Sequence, residues 1–192
     1  MKSKIKIVGL DPSLRNWGIA IGSASLVSGE LTINELKTVT TQTKPKGNSG
    51  KTSTWDIETA KILYTEVADA ISDADIVCVE VPYGSQDVKA AVGRGICLGV
   101  LGSLFDDRFI LVTPQSVKKI VGAKDASKKE CVQWATTKHP EAPWPMWQGK
   151  ISVGKAEHSA DALIAIYAAA QTKEFQSIIK EHRHANQEKD PA

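Results

Sequence analysis

The sequence predicts a mixed α/β domain in which one sheet is covered by helices on both faces. The chain opens with short β-type runs that flank a turn at Pro12 to Trp17. An apolar run over Ile76 to Val81 lacks the alternation of a strand with one wet face, which indicates a central strand buried on both sides. Helical and strand-like spacings then alternate along the chain, the order typical of α/β architectures.

The first three strands are expected close together in sequence. Residues 5–10 form a β-rich run, and Gly18 to Ile21 can pair back on it as an antiparallel hairpin. A third strand is predicted over Leu31 to Val39. The following segment, Thr40 to Thr54, contains lysines, Gly, Pro and Ser but almost no apolar residue, which predicts an exposed flexible connector. A basic arm that orders on DNA is the alternative.

The rest of the chain is predicted to be mainly helical. Helical spacing extends from Trp55 to Ile71, and a glycine-bearing apolar segment from Asp87 to Phe105 can pack closely against another helix. A strand is predicted over Phe109 to Val112. Helices are predicted over Gln115 to Val121, over Lys128 to His139 with Ser127 and Glu130 as a capping box, and over Ala156 to Gln171 or Lys180. The loop around Trp144 and Trp147 is predicted to be irregular, and the tail from Glu181 to be disordered.

Length and composition favour a single domain. The 192 residues, 42% of them hydrophobic, suit one core, predicted over residues 1–175 with a polar tail over 176–192. The net charge of +2 neither requires nor excludes a polyanionic partner. Three widely spaced cysteines favour neither a disulfide framework nor a paired-cysteine zinc site. No signal peptide or membrane span is expected, so the sequence predicts a cytoplasmic protein.

Four residues with metal-ligand chemistry border the predicted core. Asp11 follows the first strand, Glu80 lies inside the apolar fourth strand, and His158 and Asp161 are three apart on one face of the last core helix. If strands one and four end at the same edge, these side chains converge. Clustered carboxylates repel one another unless cations lie between them, and oxygen ligands with one imidazole favour Mg²⁺ or Mn²⁺. Two such ions about 3.5 to 4 Å apart can catalyse displacement at phosphorus, with Asp11 bridging both.

Each residue also has a structural interpretation. Asp11 before Pro12 is a common turn-former, Asp161 can cap or pair with a lysine, and His158 can be a surface residue. Glu80 is the hardest to explain in this way, because a lone Glu in an apolar strand is rarely buried. The interpretation as a metal site rests on the occurrence of Asp11, Glu80, His158 and Asp161 together in one sequence.

Three motifs resemble the RuvC family of Holliday-junction resolvases, metal-dependent nucleases with a ribonuclease H-like fold. GLDPSLRNWG resembles the first-strand motif, with Asp11 as the first acid and Arg15 and Gly18 also matching. VEVPYG resembles the second motif, and HSADALIAI the last, where the family has Asp or His followed three residues on by Asp. The resemblance covers about Lys4 to Ala170. It implies a ribonuclease H-like mixed five-stranded sheet flanked by helices on both faces.

The resemblance also implies roles for individual residues. Asp11, Glu80, His158 and Asp161 would be catalytic metal ligands holding two Mg²⁺ or Mn²⁺ ions. Tyr83 matches an aromatic residue that stacks on a base at the junction centre. Lys118 and Lys128 match lysines that hold phosphates, with Lys128 also assigned to catalysis and Arg15 to DNA binding.

The implied partners are branched DNA and a second copy of the chain. KAAVGRGICLGVLGSLF resembles the family's dimer helix, and neither a membrane nor an organic cofactor is expected. The implied activity is structure-selective cleavage of four-way and related DNA in a bacterial cell, or by a phage protein in the host cytoplasm. Alternatives are a ribonuclease H-like nuclease acting on RNA or flaps, and a catalytically silent junction-binding protein. An actin-like nucleotide-binding fold is disfavoured because 192 residues leave no room for two such domains. The 40–54 connection is longer than the family's, and PWPMWQG has no counterpart.

Overall fold

The computed structural model describes residues 3–42, 52–81, 84, 87–122 and 125–187. The strands are β1 (Lys4–Asp11), β2 (Asn16–Ser25), β3 (Leu31–Thr40), β4 (Ile76–Glu80), β5 (Phe109–Val112), β6 (Met146–Trp147) and β7 (Lys150–Ile151). The helices are α1 (Thr52–Ile71), α2 (Val88–Leu104), α3 (Pro114–Val121), α4 (Lys128–Lys138), α5 (Val153–Ala169) and α6 (Lys173–Gln187).

The main sheet has five strands in the order β3-β2-β1-β4-β5. β1 is antiparallel to β2 and parallel to β4, and β4 is parallel to β5. A parallel pair needs a crossover, which α1 supplies between β3 and β4 and α2 between β4 and β5. The predicted mixed five-stranded sheet with helices on both faces is confirmed.

The side chains of β1 and β4 alternate between two separate apolar cores. Ile7 of β1 and Cys78 of β4 belong to the core covered by α3, α4 and α5. Leu10 and Val79 belong to the core covered by α1 and α2. Because residues two apart on a strand share a face, Asp11 and Glu80 both belong on the α5 side of the sheet. This alternation decides which helix completes the site.

Two glycines allow α5 to lie directly on the sheet. A Cβ added at Gly9 of β1 would lie 2.0 Å from the carbonyl oxygen of Ala162, and one at Gly18 of β2 would lie 1.9 Å from that of His158. These backbone oxygens cannot retreat without moving the helix. The absence of two side chains therefore sets how closely the first half of α5 approaches β1 and β2.

The capping box predicted for α4 is confirmed. The Ser127 side chain accepts from the Glu130 backbone N–H, while the Glu130 carboxylate accepts from the Ser127 backbone N–H at 2.8 Å. α3 begins in the same way at Thr113, with Ser116 as its partner. The three cysteines are buried and unpaired, as the sequence predicted.

The loop around the two tryptophans differs from the prediction of irregular structure. β6 and β7 form a small antiparallel hairpin in which Met146 pairs with Ile151 and Trp147 with Lys150. Gln148 and Gly149 connect the strands with φ values of 49° and 75°, the left-handed conformation that a tight two-residue hairpin turn requires. The prolines therefore precede a regular element and do not prevent one.

The C-terminal prediction also needs correction. The predicted final helix is two helices. The helical conformation is interrupted between Ala169 and Lys173, where the Thr172 hydroxyl accepts from the Phe175 backbone N–H. The prediction of disorder from Glu181 is wrong as far as Gln187. Phe175 is buried in the core, and Arg183 Nε donates to the Leu26 carbonyl at 2.7 Å, which anchors α6 to the turn after β2.

Other boundaries shift by a few residues. β2 begins at Asn16 and ends at Ser25, longer than predicted at both ends, because Asn16 and Trp17 pair with β3 and the antiparallel pairing with β1 continues to Ser25. The predicted connector at 40–54 is shortened at its end, since α1 begins at Thr52. Residues 43–51 of that connector lie outside the described residues, and the proposed domain boundary at residue 175 stays a prediction. Among the helices of the described residues, none has the length and hydropathy to span a membrane.

Candidate active site

Two of the predicted acids end neighbouring parallel strands. The β1–β4 register pairs Leu10 with Val79, so the next residues along both strands are Asp11 and Glu80. Both carboxylates lie at the carboxyl ends of β1 and β4 and are only partly exposed. Two adjacent carboxylates at a sheet edge repel each other, so this arrangement needs a positive partner.

α5 brings the other two predicted residues to the same place. His158 and Asp161 are three residues apart and therefore share one face of the helix. His158 Nδ1 lies 2.8 Å from Asp11 Oδ2, a hydrogen bond between residues 147 positions apart in the chain. The contact of the His158 carbonyl with Gly18, the strand partner of Asp11, holds this turn of α5 at the sheet edge.

The carboxylates at this edge share a strongly negative environment. Burial raises the pKa of Glu80 to about 8, and the charges of Asp11 and Asp161 add to the rise. Burial also raises the pKa of Asp161 to about 7, with further contributions from the charges of Asp11 and Glu157. The charge of Asp11 acts on both Glu80 and Asp161, and that of Asp161 acts on Glu80, so the three acids lie within electrostatic range of one another. Perturbed carboxyls in a cluster of this kind are typical of functional sites.

His158 provides part of the compensating charge. Its hydrogen bond to Asp11 raises the pKa of the imidazole above its usual value, against the opposing effect of burial. A protonated His158 therefore acts as an internal cation in the acidic cluster. As a metal ligand it must be neutral, so binding of a cation there would compete with protonation.

Two predicted lysines also lie near the cluster. The positive charge of Lys118, in the last turn of α3, lowers the pKa of Glu80 against the larger effects that raise it. Lys128, in the first turn of α4, pairs with Glu157 of α5 and also interacts with the charges of Asp161 and Asp11. Both cations therefore border the acids. Their contact with DNA stays a prediction.

Arg15 makes its hydrogen bonds away from the cluster. Arg15 Nη1 donates to the Gln42 carbonyl at 2.5 Å and to Thr41 Oγ1 at 3.4 Å, so it ties the β1–β2 turn to the end of β3. Tyr83 lies outside the described residues. The DNA-binding roles of both residues stay predictions.

The donor set fits a hard divalent cation in its chemistry. Asp11, Glu80 and Asp161 would supply carboxylate oxygens, and His158 would supply an imidazole nitrogen. In the part of the chain that the structure describes, no three His, Cys, Asp or Glu side chains are gathered closely enough to hold a metal ion as they stand. A cation would therefore have to draw these side chains together, and the number of ions stays a prediction.

The raised pKa of Glu80 predicts an effect on stability without divalent cations. A carboxyl whose folded-state pKa of about 8 exceeds its ordinary value of 4.5 favours folding below pH 4.5 and loses that contribution as the pH rises to about 8. Glu80→Gln keeps the shape and removes the charge. We expect it to raise Tm by about 2–6 °C at pH 8.5 and by less at pH 5.5.

Thermal unfolding followed by circular dichroism in EDTA measures this difference. The control is Glu174→Gln, which changes an exposed acid in the first turn of α6. Equal Tm shifts for Glu80→Gln at the two pH values would show that the carboxyl is not destabilised by its surroundings.

Sequence reasoning missed Glu157 and Gly9. Glu157 is mostly buried beside Asp161 and pairs with Lys128, but a Glu one position before a candidate ligand gives no signal that distinguishes it from a solvent-facing residue. Gly9 sets the approach of α5, and its position in the strand before the first acid was a usable signal, since a strand glycine often marks close backbone contact.

The chain is similar in structure to solved RuvC proteins. Thermus thermophilus RuvC in complex with a Holliday junction substrate matches with a TM-score of 0.60 and 18% sequence identity, over 86% of this chain and 92% of that chain. A second T. thermophilus RuvC structure matches with a TM-score of 0.58 and 19% identity, over the same shares of the two chains.

No protein-family model matches the sequence, and the search of curated proteins gives no match. The similarity is therefore one of fold. The resemblance to RuvC that the motifs indicate is confirmed at this level: the chain shares the mixed five-stranded α/β fold of these RuvC structures.

Proposed function

We propose that the chain is a metal-dependent endonuclease that cleaves branched DNA, including four-way junctions. The observation that carries this proposal is the position of Asp11, Glu80, His158 and Asp161 around one edge of a sheet with the RuvC fold, with His158 hydrogen-bonded to Asp11. These residues come from two strands and a helix up to 150 positions apart. A purely structural role does not explain why three carboxylates and an imidazole share a partly buried edge.

In the proposed reaction the four side chains bind divalent cations, with two ions per site as the expected number. Mg²⁺ or Mn²⁺ would supply an activated water and neutralise charge at the scissile phosphate. Lys118 and Lys128 would bind the flanking phosphates and orient the strand. Neutral His158 would bind through its imidazole, and the partly buried setting of Glu80 would exclude bulk water. The products would carry 5′-phosphate and 3′-hydroxyl ends.

A cleavage assay on matched substrates tests the proposal. Purified protein is incubated with four-way, Y-shaped and linear duplex DNA and with an RNA–DNA hybrid, each with Mg²⁺, with Mn²⁺ or with EDTA. We expect metal-dependent cuts near the branch point and none in the linear duplex. Preferred cleavage of the hybrid would indicate a ribonuclease H-like activity instead. Metal-independent binding of four-way DNA without any cleavage would indicate a silent junction-binding protein.

The proposed enzyme acts as a two-fold dimer through α2. An exposed stripe with helical 3–4 spacing follows this helix: Val88, Val92, Gly95, Gly99 and Gly102. A Cβ added at the last three positions meets no atom within 4 Å, so the fold of one chain does not require glycine there. Close approach of a helix from a second chain explains why these three positions are glycine. Two equivalent sites in a dimer would suit two opposed strands of a junction.

Light scattering tests the dimer directly. We expect the wild-type protein to have twice the chain mass of 20.7 kDa, and Gly99→Glu to have the mass of a single chain. The Glu side chain would place a charge and bulk on the exposed stripe without touching the core. Lys119→Glu, at an exposed position of α3, is the control and should remain dimeric. A monomeric wild-type protein at 50 μM or so would contradict the role of α2.

A further inference from the structure

The β6–β7 hairpin, which immediately precedes the helix that carries His158 and Asp161, has an exposed tryptophan. All five tryptophans lie in the described part of the chain, and Trp147 is the most exposed of them, at 63%. Met146 beside it is 57% exposed. Trp144, three residues before Trp147, is buried instead. Two tryptophans three residues apart therefore have opposite environments, which suggests different tasks.

Trp144 and the ends of the hairpin hold the element in place. Trp144 Nε1 donates to the His139 carbonyl at 2.7 Å, which fixes the segment before β6 against the end of α4. The Ser152 backbone N–H donates to the Pro145 carbonyl at 2.8 Å and closes the base of the hairpin. Ser152 is also the residue from which α5 begins. The exposed ring of Trp147 therefore projects from a base tied to the helix that carries His158 and Asp161.

The ring of Trp147 is accompanied by two exposed lysines. Lys150 is its direct cross-strand partner, so the two side chains share one face of the hairpin. Lys155 Nζ lies 5.7 Å from the centre of the Trp147 ring. Among the described residues neither lysine has an ion-pair partner, whereas Lys128 nearby is paired with Glu157. An aromatic face with unpaired cations matches the chemistry of a nucleotide, which offers a planar base and an anionic phosphate.

A cleft of about 630 Å³ lies between the base of the hairpin and the side of the candidate active site that carries His158. Pro143, Pro145 and Lys155 line its hairpin side, and Lys128, Glu157 and His158 line the side of the candidate active site. Lys155, which lies beside the Trp147 ring, therefore also borders a cleft that reaches His158.

We propose that the β6–β7 hairpin binds an unpaired nucleotide of the DNA substrate, with Trp147 stacking on the base and Lys150 and Lys155 contacting the adjacent phosphates. This inference rests on the proposed function, since it identifies how the same site would select branched over fully paired DNA. A second copy of the chain is the less suitable occupant, because the unpaired lysines of two identical hairpins would repel each other.

Binding of fluorescent DNA without divalent cations tests the inference separately from cleavage. Anisotropy titrations compare branched DNA containing unpaired nucleotides with a linear duplex of the same length. We expect Trp147→Ala to weaken binding of the branched DNA about tenfold and that of the duplex less than about twofold. Trp147→Phe keeps a stacking ring and should weaken binding of the branched DNA by less than about threefold.

The lysines are tested by the salt dependence of the same titrations. Lys150→Gln and Lys155→Gln should each lower the slope of log Kd against log[salt] by about one for branched DNA. Lys173→Gln is the control, since it changes an exposed lysine beyond the far end of α5 and should leave the slope unchanged.

The outcomes separate the two proposals. Unchanged binding of branched DNA by Trp147→Ala, in a wild-type protein that binds and cleaves it, would overturn the hairpin's role alone. An equal loss on duplex and branched DNA would also overturn it, because the ring would not be reading unpaired bases. A change of mass with Trp147→Ala would identify a protein interface instead. Trp147-dependent binding without metal-dependent cleavage would overturn the nuclease proposal and leave the nucleotide site standing.

Discussion

Asp11→Asn, Glu80→Gln and Asp161→Asn are each expected to reduce metal-dependent cleavage of branched DNA by at least about 10³-fold. Each change removes one negative oxygen ligand while keeping the size of the side chain. Divalent cations contribute several kcal/mol of charge stabilisation at a scissile phosphate, and about 4 kcal/mol corresponds to a 10³-fold change in rate. Single-turnover cleavage of labelled four-way DNA in Mg²⁺ measures the loss.

Binding of the same DNA should change little. The phosphate contacts assigned to Lys118 and Lys128 remain in these variants, and loss of a nearby negative charge cannot repel DNA further. We therefore expect Kd values in EDTA within about threefold of wild type, or somewhat tighter. Glu58→Gln, at an exposed acid of α1 on the opposite face of the sheet, is the control and should cleave normally. Wild-type cleavage rates in any of the three site variants would refute the assignment of that residue.

Gly18→Ala is expected to destabilise the protein and to displace the site at the same time. The added Cβ would lie 1.9 Å from the backbone oxygen of His158, far inside van der Waals contact, so α5 must move away from β2. Overpacking of this kind typically costs about 1–3 kcal/mol and sometimes more. For a chain of this size we expect Tm to fall by about 5–10 °C. Gly9→Ala should act similarly, because its Cβ would meet the oxygen of Ala162 at 2.0 Å.

Cleavage by the folded fraction distinguishes this effect from simple instability. Measured well below the lowered Tm, Gly18→Ala should still cleave poorly, because the His158–Asp11 hydrogen bond depends on the position of α5. Gly154→Ala is the matched control in the same helix, since a Cβ there meets nothing within 4 Å. It should leave Tm unchanged or slightly raised, as expected for alanine in a helix. A Gly18→Ala protein with the Tm of Gly154→Ala would show that α5 does not rest on β2 as closely as described.

Much of the site was predictable because strand ends and helix faces follow simple periodicities. Asp11 and Glu80 end apolar runs, and parallel strands place such ends at one edge. His158 and Asp161 share a helix face at three-residue spacing, so the sequence alone placed them together. The capping box of Ser127 and Glu130 was likewise local information. These features depend on residues close together in the chain, or on the strand order implied by the family that the motifs resemble.

Other features were not predictable because they depend on long-range contacts. The tryptophan loop became a hairpin because Trp144 is fixed against the end of α4 and Pro145 bonds to Ser152. The polar C-terminal segment became α6 because Phe175 is buried and Arg183 reaches a carbonyl 157 residues away. The pairing of Lys128 with Glu157 joins two helices whose relative position no local pattern reveals.

The sequence by itself determined the kinds of side chain at this edge, their order along the chain and the α/β fold class that brings strand ends together. Only the tertiary structure decided that Asp11 and Glu80 point to the α5 face, that Gly9 and Gly18 let this helix approach to hydrogen-bonding distance, and that Trp147 rather than Trp144 faces solvent. The physical reason is that periodicity is a local property of the chain. The distance between two elements is instead set by the volume of every side chain packed between them. At this site it is set by the lack of a side chain at Gly9 and Gly18.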